Sequence, residues 1–549
     1  MIVVLGCAVY LPAIHGGWLH DDATFVGGDL ASRSGSLGQM FRLWLDPDGV
    51  DYFPLTYTAF WIQYAFFGLN TTGYHVTTLL LHLTSGLLLW KLFATLKIPG
   101  AWFAALAFTI HPACVESVAW ISELKNTLSL VPFLISCIFW VMQDNATNGL
   151  RQKWIYTGSL FFFLLSMLAK PAAVAMPVVT LLYAWWKRGR IDGRDVVHAV
   201  PLFLISVVLG MVTVQFQHGR AIGLEELPLG GIDSRIALSG MAILFYLATI
   251  VWPVNLLPIY PAWQIDPPRL WQFLPWVVIV GAAWWMWSKR HTWGRHAILA
   301  FGFFLLMIAP VLGFVGLAYM RLTWVADHFL YLPMIGPLAL LVAATAAWIE
   351  SGDATRRMAG AVMAAVVTVF LAGNTFSYAG HWASEDRLWE YTVARNNDAW
   401  VAHDRLGTLD LGRNDVERAL EHFRQASRLR PDLGETKRKL GQALLKQGNH
   451  DEAIPVLEEA VKASPWLPET RAILAEAYCK VGRIEQALKL AEKLLEDNPL
   501  NHGVRTTYAI TVFETGDKPK AIEELERVLA IEPEHEPALN ALERFRNSP

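Results

Sequence analysis

Cysteine is scarce. The 549-residue chain has four, at Cys7, Cys114, Cys137 and Cys479, far apart and three of them in apolar stretches. That spacing excludes a disulfide framework and a zinc motif. Charge is scarce too. Only 17% of residues are charged and the formal net charge is −3, so the basic surplus that marks nucleic-acid binding is missing. Apolar residues are plentiful, at 54% with 24 Trp and 28 Phe, and mean hydropathy is +0.34. These values exclude a disordered chain and argue against an ordinary soluble enzyme. Aromatic side chains in such number suit a bilayer protein anchored at its interfaces.

The composition is not uniform. Up to about residue 380 the chain alternates apolar runs with short polar loops, and from Asn396 onward it is charged, helix-prone and rich in Leu and Ala. The expected fold is therefore all-α. A polytopic helical membrane domain over 1–393 precedes a soluble α-solenoid over 394–549. Candidate spans are about 1–14, 73–96, 99–116, 124–143, 154–169, 171–187, 197–216, 236–252, 270–288, 296–316, 329–349 and 358–378. Residues 1–14 read as a short first span rather than a cleaved signal peptide, because no basic segment precedes the apolar run.

The soluble part repeats itself. Pro431, Pro465, Pro499 and Pro533 are spaced by 34 residues, as are Ala419, Ala453, Ala487 and Ala521. Twelve positions before each Ala stands Gly407, Gly441, Ala475 or Ala509. A small residue lets two helices approach closely, and a proline closes each unit. The period and its residues resemble the tetratricopeptide repeat. Four repeats span about 400–535, and Glu536–Arg546 reads as a capping helix. On that pattern the concave face carries Asp404, Thr408, Arg438, Gln442, Glu476 and Thr506. Two readings stand for it: peptide recognition, or a solvated face on a spacer or scaffold.

Basic loops orient the membrane part. Arg151 with Lys153, Lys187 to Arg194, Lys289 to Arg295, and Arg356-Arg357 are all expected on the cytoplasmic side. Three candidate spans lie between Arg194 and Lys289, where an even number is needed. Reading 236–252 as re-entrant or interfacial resolves the conflict and leaves about eleven spans, with the C-terminus outside. The outer loop of about 15–72 contains Asp21, Asp22, Asp29, Asp46, Asp48 and Asp51. It also holds an aromatic stretch, Tyr52 to Phe67, suited to lying on the membrane surface.

Several segments together resemble a known family. They are Trp18-Leu19-His20-Asp21-Asp22-Ala23, Tyr52-Phe53-Pro54-Leu55-Thr56 and Phe67-Gly68-Leu69-Asn70 leading to His75 and Leu80-Leu81-His82. The run His111 to Lys125 is the most specific of them. Leu168-Ala169-Lys170-Pro171 and Ala326 to Pro333 complete the set. With the terminal repeats, this pattern resembles the protein O-mannosyltransferase-like branch of the GT-C glycosyltransferases. The resemblance implies a polytopic, inverting, metal-independent enzyme with no cofactor. Its donor would be a polyprenyl-phosphate sugar and its acceptor a hydroxyl, such as a protein Ser or Thr. It further implies a membrane with the repeats facing the periplasm or, in eukaryotes, the lumen of the endoplasmic reticulum. One departure is His328, where an arginine is expected after Asp327, which makes that charge pH-dependent.

Such a transfer needs a base for the attacking hydroxyl and cations for the departing phosphate. Asp21 and Asp22 are the candidate catalytic pair. Neighbours on an extended backbone point apart, so one is the base and the other positions it; the family alignment favours Asp21 as base. Lys125, Lys170, Arg321 and His328 are candidate phosphate contacts, and lone charges near span ends usually have a task. For Lys170 the alternative is snorkelling to the interface. His111, Glu116, Asp327 and Tyr331 are candidate pocket residues. Glu116 is placed to pair with His111 or Lys125, structurally or at the substrate. His75 and His82 share a helix face, where packing is favoured over a metal site, and no convincing metal-ligand pattern is present. A non-enzymatic membrane scaffold that assembles partners through its repeats is the alternative function.

Overall fold

The computed structural model describes residues 1–22, 26, 37–45, 51–145, 149–222 and 227–548. Asp29, Asp46 and Asp48 of the acidic loop lie outside the described residues. Among the described residues the elements are helical, with no strand. The chain divides into two compact units, Met1–Tyr391 and Thr392–Pro549.

In the first unit seven helices are long and apolar enough to cross a membrane: Thr71–Thr95, Ile121–Asp144, Gly193–Gly219, Ile232–Val251, Leu270–Ser288, Gly294–Val311 and Ala354–His381. An eighth is added if the pair Ala101–Thr109 and Pro112–Ala119, bent by 54°, counts as one pass. This is fewer than the eleven expected from the apolar runs. Helices such as Ile2–Ile14 and Met176–Arg188, at 13 residues each, rise only about 20 Å, against a hydrocarbon core of about 30 Å. The segment taken as re-entrant also needs correction. Ile232–Val251 is one continuous 20-residue helix that meets the same length and hydropathy criteria as the rest. What distinguishes it is the chain that follows. Tyr260 and Trp263 pack on Phe245 at 4.9 and 6.0 Å, and Asp266 Oδ1 accepts from Ser234 Oγ at 3.4 Å. The non-helical segment therefore runs back along the helix to its start.

Three basic loops meet at one end of this unit. Lys187 Nζ lies 2.6 Å from Asp144 Oδ2, and Arg188 reaches the same carboxylate at 3.1 Å. Arg295 Nη1 donates to the Trp186 carbonyl at 3.3 Å. The helix Gly149–Ala169 leaves that end and delivers Lys170 to the other, where the polar cluster described below is built.

The second unit is four helix pairs, Trp400–Gly412 with Val416–Leu429, Gly434–Gln447 with His450–Ala463, Pro468–Lys480 with Ile484–Asp497, and His502–Glu514 with Lys518–Ile531, followed by Glu536–Asn547. The repeated residues do the packing. A Cβ on Gly441 would stand 2.5 Å from the Leu457 side chain, and one on Gly407 2.8 Å from Phe423. Ala419, Ala453, Ala487 and Ala521 are fully buried, and the four prolines lie in the turns between pairs. Asp415, Asn449 and Asp517, again in phase, cap the second helices by accepting from the backbone N–H three residues on, which satisfies an otherwise orphaned donor. On the candidate concave face Thr408, Gln442 and Glu476 are exposed, Arg438 is half-buried, and Asp404 and Thr506 are buried. Lys439 Nζ holds the Asp404 carboxylate at 2.5 Å.

Candidate active site

The first helix, Ile2–Ile14, ends in a short extended stretch and a turn. His20 sits in the left-handed region at φ 43°, and its N–H donates to Glu385 Oε1 at 2.7 Å. The two aspartates then part. Asp22 is fully buried. Its Oδ1 accepts from Ser122 N at 2.7 Å and Ser122 Oγ at 2.5 Å, and its Oδ2 from Leu19 N at 2.9 Å. Burial pushes its carboxyl up to about 7, although the three donors favour the ionised form. Asp21 is 46% exposed, with Oδ1 3.2 Å from His20 Nε2. Asp22 thus ties the acidic turn to the 120s, while Asp21 stays open to solvent.

The stretch from His111 to Lys125 is not one helix. Pro112 and two single 3₁₀ turns break it into short pieces. These breaks gather Glu116, Ser122, Glu123, Lys125 and Asn126. Glu123 is the hub: its Oε1 is 2.7 Å from Lys125 Nζ, and its Oε2 is 3.4 Å from Lys170 Nζ. Asn126 links the two sides, donating to Glu123 Oε2 at 2.6 Å and accepting from Lys170 Nζ at 2.7 Å. Burial lowers the Lys170 ammonium from its usual range, with the Glu123 charge opposing. Asp21 and Asp51 both add to the field at Lys125. Burial raises the Asp51 carboxyl, which weakens it as a counter-charge. Asp51 accepts from Gln217 Nε2, and Gln217 Oε1 accepts from Ala318 N at 3.3 Å, so the turn leading to Arg321 is held at the same cluster. Arg321 is half-buried, and its Nε donates to the Ala318 carbonyl at 3.1 Å.

Glu116 pairs with neither His111 nor Lys125. Its carboxylate takes the His328 N–H at 2.9 Å and lies 2.8 Å from His328 Nδ1. Tyr319 OH donates to it at 3.4 Å. Lys125 has Glu123 instead. Asp327 is buried and accepts from Tyr260 OH at 2.8 Å; burial, and then the Glu116 charge, raises its carboxyl. Two candidates are occupied elsewhere. His111 uses both ring nitrogens on backbone, accepting from Ala113 N and donating to the Ile250 carbonyl. Tyr331 OH lies 2.8 Å from His82 Nδ1, whose Nε2 meets the Thr109 carbonyl. The structure therefore brings together Asp21, Asp22, Lys125, Lys170, Glu116 and His328, and it sets His111 and Tyr331 into packing roles. Glu123, Asn126, Ser122 and Tyr319 went unassigned from the sequence. Glu123 and Asn126 carried one usable signal, since residues three apart share a helix face. Among the described residues no group of three or more His, Cys, Asp or Glu is arranged to hold a metal.

Residues 405–466, 444–501 and 481–544 match family models described as tetratricopeptide repeat. The C-terminal region contains these repeats. Protein O-mannosyl-transferase F38B6.6 of Caenorhabditis elegans is 27% identical over 154 residues, covering 26% of this chain and 22% of that protein. The chain thus matches about a fifth of the length of this curated relative. Among solved structures, YrrB, described as a TPR protein with an unusual peptide-binding site, is 21% identical with a TM-score of 0.25. That match covers 36% of this chain and 97% of YrrB. A thermophilic TPR protein of Thermus thermophilus, TTC0263, is 17% identical with a TM-score of 0.27, covering 29% of this chain and 90% of that one.

Proposed function

We propose that the first unit is a membrane glycosyltransferase of the GT-C kind, passing a sugar from a polyprenyl-phosphate donor to a hydroxyl. One observation carries this reading: a half-exposed carboxylate, Asp21, adds to the field at the Lys125 ammonium, which shares the buried carboxylate Glu123 with Lys170. Asp21 takes the proton of the acceptor hydroxyl as its oxygen attacks the anomeric carbon. The bond from that carbon to the phosphate oxygen breaks in the same displacement, which inverts the centre. The polyprenyl phosphate leaves with the electron pair, and Lys125 and Lys170 hold its charge. Arg321 and His328 are further contacts for it, Glu116 and Asp327 shape the pocket, and Asp22 is a positioning residue. The partial match to a protein named as an O-mannosyltransferase supports a sugar as the group transferred and a protein Ser or Thr as the acceptor. The repeats, a class of domain that binds proteins and peptides, would recruit that acceptor and raise its effective concentration.

The proposed topology puts the site and the repeats on the outer face. The support is the basic loops at one end and the return of 252–266 along its helix, which makes Ile232–Val251 and its return a hairpin without net crossing. The locations that fit are a bacterial inner membrane with periplasmic repeats, or an endoplasmic reticulum membrane with lumenal ones. A second reading, a scaffold that assembles an envelope complex, draws on the exposed repeat residues Thr408, Gln442 and Glu476 alone. The test uses the purified full chain in vesicles with polyprenyl-phosphate mannose and a Ser/Thr peptide, with and without EDTA. Transfer that survives EDTA is the expected result. Strict metal dependence would reject the metal-free chemistry, and no transfer from any polyprenyl-phosphate sugar would favour the scaffold.

A further inference from the structure

Two basic loops adjoin at the end of the first unit where the helix Gly149–Ala169 begins, and their charges are balanced differently. Along 187–190 the cations have carboxylates. Lys187 and Arg188 hold Asp144, Arg188 also holds Asp195 at 2.5 Å, and Arg190 lies 3.1 Å from Asp192. The run Lys289-Arg290-His291-Thr292-Trp293-Gly294-Arg295-His296 contains no acid. Among the described residues no carboxylate is within ion-pair reach of Lys289, Arg290 or Arg295. Arg290 spends one N–H on the Trp287 carbonyl at 3.1 Å and Arg295 one on the Trp186 carbonyl at 3.3 Å, out of five each. The turn is tight enough to gather the three cations. Thr292 N and Gly294 N both donate to the Lys289 carbonyl, at 2.9 and 3.0 Å, and a Cβ on Gly294 would collide with the Met286 carbonyl. Trp185 stacks on Trp287 at 5.9 Å, 9° from parallel, and so joins the two loops. Like charges held together repel, so this turn calls for an anion. Its surroundings are apolar. No residue of Leu274–Ser288 is buried, and Trp284 and Trp287 on that helix, with Trp293 just beyond it, are exposed. The Arg290 guanidinium lies 4.9 Å from the centre of the Trp287 ring. Exposed indoles beside a bare apolar helix mark the level of lipid headgroups, and guanidinium groups bind phosphate through paired donors. A soluble anion would need the cations alone; the helix and the indoles add a surface for acyl chains.

We propose that the turn 289–296 is a headgroup site for an anionic phospholipid, with the lipid phosphate on Lys289, Arg290 and Arg295 and the acyl chains along Leu274–Ser288. A zwitterionic lipid is the poorer ligand, because its own cationic group returns positive charge to the turn. The proposal rests on a bilayer around the first unit and is independent of the transfer chemistry. The experiment titrates the purified full chain in mild detergent with phosphatidylglycerol and with phosphatidylcholine of matched chains, and reads bound lipid by native mass spectrometry. The wild type is expected to hold phosphatidylglycerol at least about tenfold more tightly. Each cation near a headgroup is worth about fivefold, so K289Q/R290Q/R295Q should weaken phosphatidylglycerol roughly a hundredfold and leave phosphatidylcholine unchanged. R194Q/R356Q/R357Q removes as many charges from other basic segments and should weaken it less than about threefold. An equal loss in that control would show a diffuse field in place of a site and overturn the proposal, as would no loss in the first variant. Should a variant fail to fold, the wild type decides alone. Equal binding of the two lipids overturns the proposal, and so does displacement of phosphatidylglycerol by an equal concentration of its chain-free headgroup, glycerophosphoglycerol, which would make the turn a site for soluble phosphate.

Discussion

Asp21 and Asp22 are adjacent yet physically opposite, and their variants should separate accordingly. Asp22→Ala leaves Ser122 N, Ser122 Oγ and Leu19 N without their acceptor, a loss of about 1–3 kcal/mol, read as a lower Tm of the purified protein. Its pH dependence has a defined sign. The folded carboxyl titrates at about 7, above the ordinary aspartate value, so its contribution is present in acid and fades as pH rises through 7. The Tm gap between wild type and Asp22→Ala should be widest near pH 5 and narrower at pH 8; a gap that widens with pH would contradict the account. Lys170→Ala removes one of the two ammonium groups on Glu123. Turnover should fall about 10²–10³-fold, with the KM for donor rising and that for acceptor unchanged. Initial rates with each substrate varied will show the split, and an unaltered donor dependence would make Lys170 structural.

The repeat helices carry their own prediction. Gly441→Val puts branched carbon where a Cβ alone would already meet Leu457 at 2.5 Å. Overpacking of this kind costs about 1–3 kcal/mol, while the same change at Gly448, with open space around its Cβ position, strains only the backbone at φ 86°. Denaturant unfolding of the full chain, followed by a probe in the repeats, will compare them; equal stability of Gly441→Val and wild type would refute the close helix approach. This element was legible in the sequence because its packing is local, every partner lying within one 34-residue period. The site was legible only in part. Asp21, Lys125 and Lys170 stood out as charges beside apolar runs, but their partners did not. Asp22 meets Ser122 across 100 residues, and Glu116 meets His328 across 212, distances at which spacing says nothing about contact. The same limit misplaced Glu116, whose helical neighbours looked like its natural partners. Span number was obscured for a different reason: apolar runs do not reveal where prolines such as Pro112 and Pro171 cut them into helices too short to cross alone.

At the scale of the whole molecule the account places catalysis and recruitment on one side of a membrane. A cysteine introduced at the exposed position Gln442 should, relative to its Cys479→Ser parent, react with a membrane-impermeant maleimide on sealed cells or right-side-out vesicles. Labelling only after lysis would put the repeats on the basic-loop side and remove the acceptor-recruitment role. The central claim is that Asp21 activates a hydroxyl toward a lipid-phosphate sugar, and one measurement reaches it directly. Wild type and Asp21→Asn are reconstituted in identical vesicles with radiolabelled polyprenyl-phosphate sugar, and release of polyprenyl phosphate is followed against acceptor peptide. The account predicts acceptor-dependent release by the wild type. It also predicts a rate about 10²–10⁴-fold lower for Asp21→Asn, with Tm unchanged because this side chain is open to solvent. A fully active Asp21→Asn, or a wild type that releases nothing in the presence of acceptor, would contradict it.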